Sequence, residues 1–240
     1  MMAVILAGGK GTRLHPLTMT IPKPLLPLGD RAILEVVLSQ LSAAGTSRVV
    51  ITVGHMANLL MASIGQGERF GMRIEYCVED IPLGTAGGLR LLDNLEENFL
   101  VMNGDLLTTL NYMELMEVHR KGNAVATIAV HKREVDVDYG VIEMSSDGAL
   151  ECYIEKPVFP YYVSMGINVL SRACIDFIPR DGRFDMPQLM TALHSASLKV
   201  LCHKTDCYWQ DIGRLDDYRQ ANEDFTRDPS RFLPSGGIHA

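Results

Sequence analysis

Residues 3–6 form an unbroken apolar run that gives way at once to Gly8-Gly9-Lys10-Gly11. A short run without polar alternation predicts a strand buried on both faces, as in a parallel sheet, with a loop at its end. Residues 33–44 follow a different rule. Apolar side chains at 33, 34, 37, 38, 41 and 44 repeat with a helical period, and Gly45 supplies a stop. Residues 49–53 then predict a second buried strand, 56–64 a helix and 72–76 an alternating strand. A capped helix is expected over 85–95, ahead of a strand at 99–102 whose end delivers Asn103-Gly104-Asp105. Strand and helix taking turns in this way predict an open α/β fold.

The second half reads as a helix at 112–120, a strand at 124–130 and shorter strands at 140–143, 150–155 and 162–170. Helices are expected at 171–178, 186–196 and 215–224, with one more strand at 198–203. No shift in composition marks a linker, so this half is expected to extend the first sheet. Residues 1–227 therefore form one expected domain, and 228–240, carrying Pro, Gly and Ser, an irregular tail that frays. No internal repeat or low-complexity tract interrupts the pattern.

At 240 residues, 47% of them hydrophobic and 21% charged, the chain is long and apolar enough to bury a core. Twenty-two basic against 29 acidic side chains leave a net charge of −7, with no general footprint for nucleic acid or an anionic membrane. Any phosphate site must be local. The first residues lack the basic flank and length of a signal sequence and the apolar runs are strand-sized, so a cytoplasmic protein is the default expectation. Five cysteines form no CxxC pair and read as reduced, buried thiols.

The glycine turn is the first chemical signal. Following a strand, its glycines let backbone N–H groups approach phosphate oxygens with no Cβ in the way. It is neither the dinucleotide fingerprint, because Leu14 stands where the third glycine is required, nor the ATPase phosphate loop, because Arg13 stands where that pattern needs glycine. A turn with no ligand is the bland alternative, and two neighbours weigh against it. Arg13 offers a bidentate clamp for phosphate, and Lys23 sits in the stiff frame Pro22-Lys23-Pro24. Asp105 at a strand end and Asp211 in a distant loop would each pass for an ordinary cap or turn residue if taken alone.

The segment from Leu6 to Thr18, Leu-Ala-Gly-Gly-Lys-Gly-Thr-Arg-Leu-His-Pro-Leu-Thr, and the segment Pro22-Lys-Pro-Leu-Leu-Pro27 closely resemble the signature of sugar-1-phosphate nucleotidyltransferases. The mannose-1-phosphate guanylyltransferase-like branch is resembled most, through residues 82–88 (Pro-Leu-Gly-Thr-Ala-Gly-Gly), Asn103-Gly104-Asp105, Tyr139-Gly140-Val141, Glu155-Lys156-Pro157 and residues 209–213 (Trp-Gln-Asp-Ile-Gly). The motifs span about residues 3–223. The resemblance implies a three-layer, Rossmann-like core with an open, mixed, mainly parallel sheet and a small sugar-binding lobe. It implies transfer of a nucleotidyl group from a nucleoside triphosphate to a sugar 1-phosphate, with release of pyrophosphate. GTP with mannose 1-phosphate is the leading pair. UTP or CTP with another sugar 1-phosphate and GTP with a heptose 1-phosphate are alternatives, and a non-catalytic nucleotide-sugar sensor or regulatory subunit is the alternative of another class. No hexapeptide repeat is read in the chain, so the acyltransferase activity that accompanies such repeats in some relatives is not expected.

Site residues carry over position by position. Asp105 and Asp211 would hold Mg²⁺, Arg13 would meet the departing pyrophosphate and Lys23 the α-phosphate. Leu6, Ala7, Gly8, Gly9, Gly11 and Thr12, with Asn103, would line the nucleotide, and Glu79, Pro82 and Gly84 its base. A carboxylate at Glu79 suits guanine N1–H and N2–H₂ but also the single N3–H of uracil or thymine. Gly140, Glu155, Lys156 and Asn168 would bind the sugar phosphate. Nucleoside triphosphate and sugar 1-phosphate are the expected partners, without nucleic acid or membrane, and assembly into a homo-oligomer is an expectation of the family alone. His15, His55, His119 and His194 lack a common ligand spacing and read as hydrogen-bonded surface or loop residues, and Trp209 as a buttress for the Asp211 loop.

Overall fold

In the computed structural model, which describes residues 1–234, the first apolar run is an inner strand of a seven-stranded sheet. This strand, β1 (Met2–Ala7), turns Ala3, Ile5 and Ala7 to one face and Met2 and Val4 to the other, all buried. It needs two apolar faces because helices cover both sides of the sheet. The strands that follow are β2 (Arg48–Val53), β3 (Arg73–Val78), β4 (Asn98–Asn103), β5 (Ala126–Asp136), β6 (Val158–Ser171) and β7 (Val200–Thr205). Their order across the sheet is β7-β5-β6-β4-β1-β2-β3, and only β6 runs antiparallel to its neighbours. The expected mixed, mainly parallel α/β sheet is the one observed.

Helices α1 (Ile33–Ala43), α2 (Ala57–Ile64) and α3 (Tyr112–Gly122) cover one face, through buried residues such as Leu38, Leu60 and Leu115. Helix α4 (Met186–Ser195) covers the other with Leu189 and Leu193. Helix α5 (Leu215–Arg227) closes a third cluster at one end of the molecule, where Ala221 and Phe225 pack with Leu14, Leu28, Ile33 and Ile212. The chain leaves β1 toward β2 and β3, then returns to place β4 on its other side. That reversal opens a crevice at the carboxyl ends of β1 and β4, the usual ligand position in open α/β sheets.

Four expectations need correction. The helix expected over 85–95 is one turn, Gly84–Gly87, running into a 3-10 turn, Gly88–Leu91, because two consecutive glycines supply neither side-chain packing nor helical bias. The helix expected over 171–178 is likewise 3-10, at Arg172–Phe177. β5 and β6 run well beyond the predicted strands and, with a ribbon of Val141–Met144 and Leu150–Ile154, build an outlying lobe. Residues 228–234 do not fray. Phe232 is buried against Tyr208 and Phe225, and its carbonyl accepts a 2.8 Å hydrogen bond from Gln40 Nε2. The rest of the expected tail lies outside the described residues. All five cysteines are free, but only Cys174 is buried as expected, and Cys202 is exposed.

Candidate active site

The glycine turn is shaped by close approach. Gly11 adopts φ +62°, and a Cβ there would stand 3.1 Å from Thr18 Cγ2 and 3.3 Å from Lys23 Cβ. Its carbonyl accepts 2.7 Å from Thr18 Oγ1 and 2.9 Å from Leu14 N–H. Leu14 is buried in the third cluster, so the short 3-10 turn Thr12–Leu14 leaves its neighbour Arg13 at the surface. Lys23, just after Pro22, is only 8% exposed. Gly9, Gly11, Thr12, Arg13, Lys23 and Asp105, with Leu6, Ala7 and Pro24, line a cavity of about 190 Å³.

β4 delivers Asp105 through Gly104, whose N–H donates 3.0 Å to Leu6 O and whose missing Cβ would lie 2.9 Å from Ile5 Cγ2. Asp211 arrives on a different element. A two-stranded ribbon pairs Asp211 with Leu106 and Trp209 with Thr108, and Ile212 N–H donates 3.1 Å to Asp105 O. Backbone pairing thus fixes two sequence-distant carboxylates side by side. Lys23 Nζ is ion-paired with Asp105 Oδ2, whereas Asp105 Oδ1 is buried without a partner. Burial pushes the Asp211 carboxyl up from its ordinary range, as does the charge of Asp105, with Lys23 and Arg13 opposing. A Cβ on Gly213 would lie 3.2 Å from Asp211 Oδ2 and 3.6 Å from Arg13 Nη1, so these two groups converge over that glycine.

An orphaned buried oxygen and two adjacent like charges are the chemistry a divalent cation relieves. Mg²⁺ is commonly held by one or two carboxylates together with substrate phosphates and water, and this donor set fits it. No group of three or more His, Cys, Asp or Glu gathers for a metal among the described residues.

On the other side of β1 a cavity of about 380 Å³ gathers Leu6, Gly8, Glu79, Pro82, Gly84 and Asn103. Glu79 Oε2 accepts 3.3 Å from Leu83 N–H, and a Cβ on Gly88 would fall 2.2 Å from Oε1. Burial raises the Glu79 carboxyl above its ordinary range. The loop over this pocket is stapled to α4. Gly84, at φ +86°, lies against Phe184 O and Asp185 Oδ1, and Phe184 O accepts from Ala86 and Gly87 N–H at 3.0 and 2.9 Å. Asp185 Oδ1 accepts 2.9 Å from Thr85 N–H, while Thr85 Oγ1 accepts 2.7 Å from Met186 N–H.

A third cavity, about 510 Å³, shares Leu6, Thr85 and Asn103 with the second and extends past Asp211 and Trp209. A bulge between Ser164 and Asn168 in β6 opens it. Gly166 there has φ +72°, and a Cβ on it would meet Asn103 Nδ2 at 2.6 Å. Trp209 Nε1 donates 2.9 Å to Met165 O, so the indole buttresses the bulge rather than the Asp211 loop alone. Asn168 is 4% exposed and its Oδ1 is without a partner.

The structure therefore gathers Arg13, Lys23, Asp105 and Asp211, sets the remaining nucleotide-side residues around the two adjoining cavities, and puts Asn168 in the third. It does not bring Gly140, Glu155 and Lys156 to these walls. They lie at the exposed lobe, where Tyr153 Oη donates 3.3 Å to Glu155 Oε2 and Lys156 adopts φ +44°. Thr85, Asp185 and Gly166 escape the sequence reading. Thr85 passes for a helix cap and Asp185 for the start of α4, and only Gly166, two residues before Asn168, carries a local signal. His119, expected at the surface or in a loop, is buried between Thr127 and Asn98, each 2.9 Å away.

The family model described as Nucleotidyl transferase matches residues 2–228. A UTP–glucose-1-phosphate uridylyltransferase of Synechocystis is 33% identical over 92% of this chain and 62% of its own length. A mannose-1-phosphate guanylyltransferase of Mycobacterium tuberculosis is 31% identical over 94% of this chain and 64% of its own. The chain thus spans less than two thirds of the length of these curated relatives. The crystal structure of HddC from Yersinia pseudotuberculosis superposes with a TM-score of 0.73 at 26% identity, covering 93% of this chain and 99% of that one. The same protein complexed with GMP-PN gives a TM-score of 0.71 at 26% identity, with the same coverage of both chains.

Proposed function

The chain belongs to the nucleotidyl transferase family, and from that premise we propose that it transfers a nucleotidyl group from a nucleoside triphosphate to a sugar 1-phosphate, releasing pyrophosphate. The observation that carries this reading is the convergence of Arg13, Lys23, Asp105 and Asp211 between a cavity lined by the glycine turn and a larger one beyond Asp211. Two substrates meeting at one phosphorus need that division of space.

The attacking group is an oxygen of the sugar phosphate. Its second pKa is about 6, so at neutral pH it is already anionic and needs no protein base. The protein's task is to position anions and offset their charge. Arg13, exposed at the mouth of the turn, clamps the β- and γ-phosphates and stabilises the departing pyrophosphate. Lys23 brings its ammonium to the α-phosphate from a buried frame that Asp105 helps to orient. Asp105 and Asp211 would hold Mg²⁺. When bound, that ion neutralises phosphate oxygens and the charge that develops on them. Gly8 and Gly11 let the nucleotide lie against backbone, and Glu79 accepts hydrogen bonds from the base.

GTP with mannose 1-phosphate is the pair to test first, supported by the guanylyltransferase relative and by the GMP-PN complex of HddC. UTP is the second donor to test, because a carboxylate at Glu79 also accepts from uracil N3–H and a uridylyltransferase is among the relatives. The experiment is a matrix of GTP, UTP, CTP, ATP and dTTP against several sugar 1-phosphates with Mg²⁺, recording pyrophosphate and product mass. One productive donor with a nucleotide-sugar product is the expected result. Tight nucleotide binding with no pyrophosphate from any pair would contradict the reading and favour a sensor.

A further inference from the structure

The cavity beyond Asp211 has a chemically lopsided wall. Ile128, Met165, Met186, Pro187, Met190 and Trp209 line it, and the only hydrogen-bonding group among their side chains, Trp209 Nε1, already donates to Met165 O at 2.9 Å. Met186 and Met190 stand one helical turn apart on α4 and share a face, so their thioethers form one patch. Two of the cavity's polar side chains are engaged. Thr85 Oγ1 accepts from Met186 N–H at 2.7 Å, and Ser164 Oγ accepts from Gly166 N–H at 3.3 Å. Asn168, with its unpartnered Oδ1, is the clearest polar side chain without a task.

A hexose 1-phosphate carries hydroxyls around its ring, and each one desolvated against this wall finds no partner. A methyl group placed there loses nothing and gains contact with soft, polarizable side chains. Resting on the nucleotidyl-transfer reading, we infer that the acceptor is a sugar 1-phosphate bearing an apolar substituent, a methyl group, seated on the patch of Met186 and Met190. That methyl belongs to a deoxygenated ring carbon or to an acylamino group. The second source would also supply an N–H that the Asn168 carboxamide is suited to accept.

The test fixes the best donor from the nucleotide matrix and compares kcat/KM for a parent hexose 1-phosphate, its 6-deoxy analogue and its N-acetylamino analogue. One methyl-bearing analogue is expected to exceed the parent by about 10- to 100-fold, the range over which an apolar pocket discriminates against an added hydroxyl. The analogue that does so identifies the source. Met190→Gln is expected to cut that ratio at least five-fold, and Met190→Leu to keep it, with both variants melting close to the unaltered protein. A parent hexose that equals or outperforms both analogues overturns the inference and leaves nucleotidyl transfer standing. A ratio unchanged in Met190→Gln overturns it as well. Absence of pyrophosphate with every donor and acceptor overturns the nucleotidyl-transfer reading, and this inference with it.

Discussion

Two regions carry candidate substrate residues, and the chain holds them by different means. At the phosphate corner, Asp211 is locked by backbone pairing to Leu106, Ile212 is buried beside it, and Lys23 is closed over Asp105. At the outlying lobe, Gly140, Glu155 and Lys156 sit among exposed apolar side chains, with Tyr139 79% exposed and Tyr153 59% exposed. The corner is finished before substrate arrives. At the lobe, Glu155 and Lys156 are open to solvent. Substitution should therefore separate the regions, damaging turnover at the corner and substrate affinity at the lobe.

The largest effect belongs to Asp211. Asp211→Asn is expected to lower kcat by about 1,000-fold, as loss of a group that supports transition-state charge does. Its effect on stability has the opposite sign. The folded-state pKa of Asp211 is raised, so the ionised form is penalised in the native protein and stability falls as pH rises through that pKa. Asp211→Asn should melt no lower than the unaltered protein at neutral pH without Mg²⁺, as thermal denaturation will show. Next come the two cations. Arg13→Ala is expected to cost about 100-fold or more in kcat with no change in melting. Lys23→Ala should cost a similar factor and also about 1–3 kcal/mol of stability, because Asp105 keeps a charge with no partner; equal melting of the two variants would show that the corner is not the rigid region described.

At the lobe, Lys156→Ala is expected to raise KM for the sugar phosphate about 10-fold, the loss of one charge-assisted contact, with melting unchanged. A matching fall in kcat with KM intact would erase the distinction between the regions. Asp185→Ala tests the staple that holds the loop of residues 84–87 to α4. It should raise KM for the nucleotide a few-fold and cost about 1 kcal/mol, since the N–H of Thr85 loses its acceptor. The smallest effect is on pH dependence. Burial raises the Glu79 pKa, so its carboxylate protonates at a pH where an exposed glutamate is still charged. KM for the nucleotide should rise with acidification through that window, and Glu79→Gln should flatten the profile.

The core of the fold was legible because its signals are local. An apolar run before a glycine turn announces β1, and a 3.6-residue period announces α1. Residues 84–91 were misread because Thr85 imitates a helix cap, while the segment's true constraint, docking on Phe184 and Asp185, lies far along the chain. Phe232 was lost to a polar tail for the same reason, since its partners Tyr208 and Phe225 are contacts of the folded state. At the site, motif residues pointed to Arg13, Lys23, Asp105 and Asp211. The ribbon that pairs 106–108 with 209–211 leaves no periodic trace in sequence, and the helix expected over 186–196 carries no local sign that it walls a cavity.

Asp105 and Asp211 together would make a divalent-cation site completed by the nucleotide. Titration of Mn²⁺ followed by its paramagnetic resonance, with a non-hydrolysable GTP analogue present, reads that site without turnover. One tight Mn²⁺ per chain, weakened at least ten-fold in both Asp105→Asn and Asp211→Asn, is the predicted result. Equal Mn²⁺ affinity in the unaltered protein and both variants would show that these carboxylates do not hold the metal.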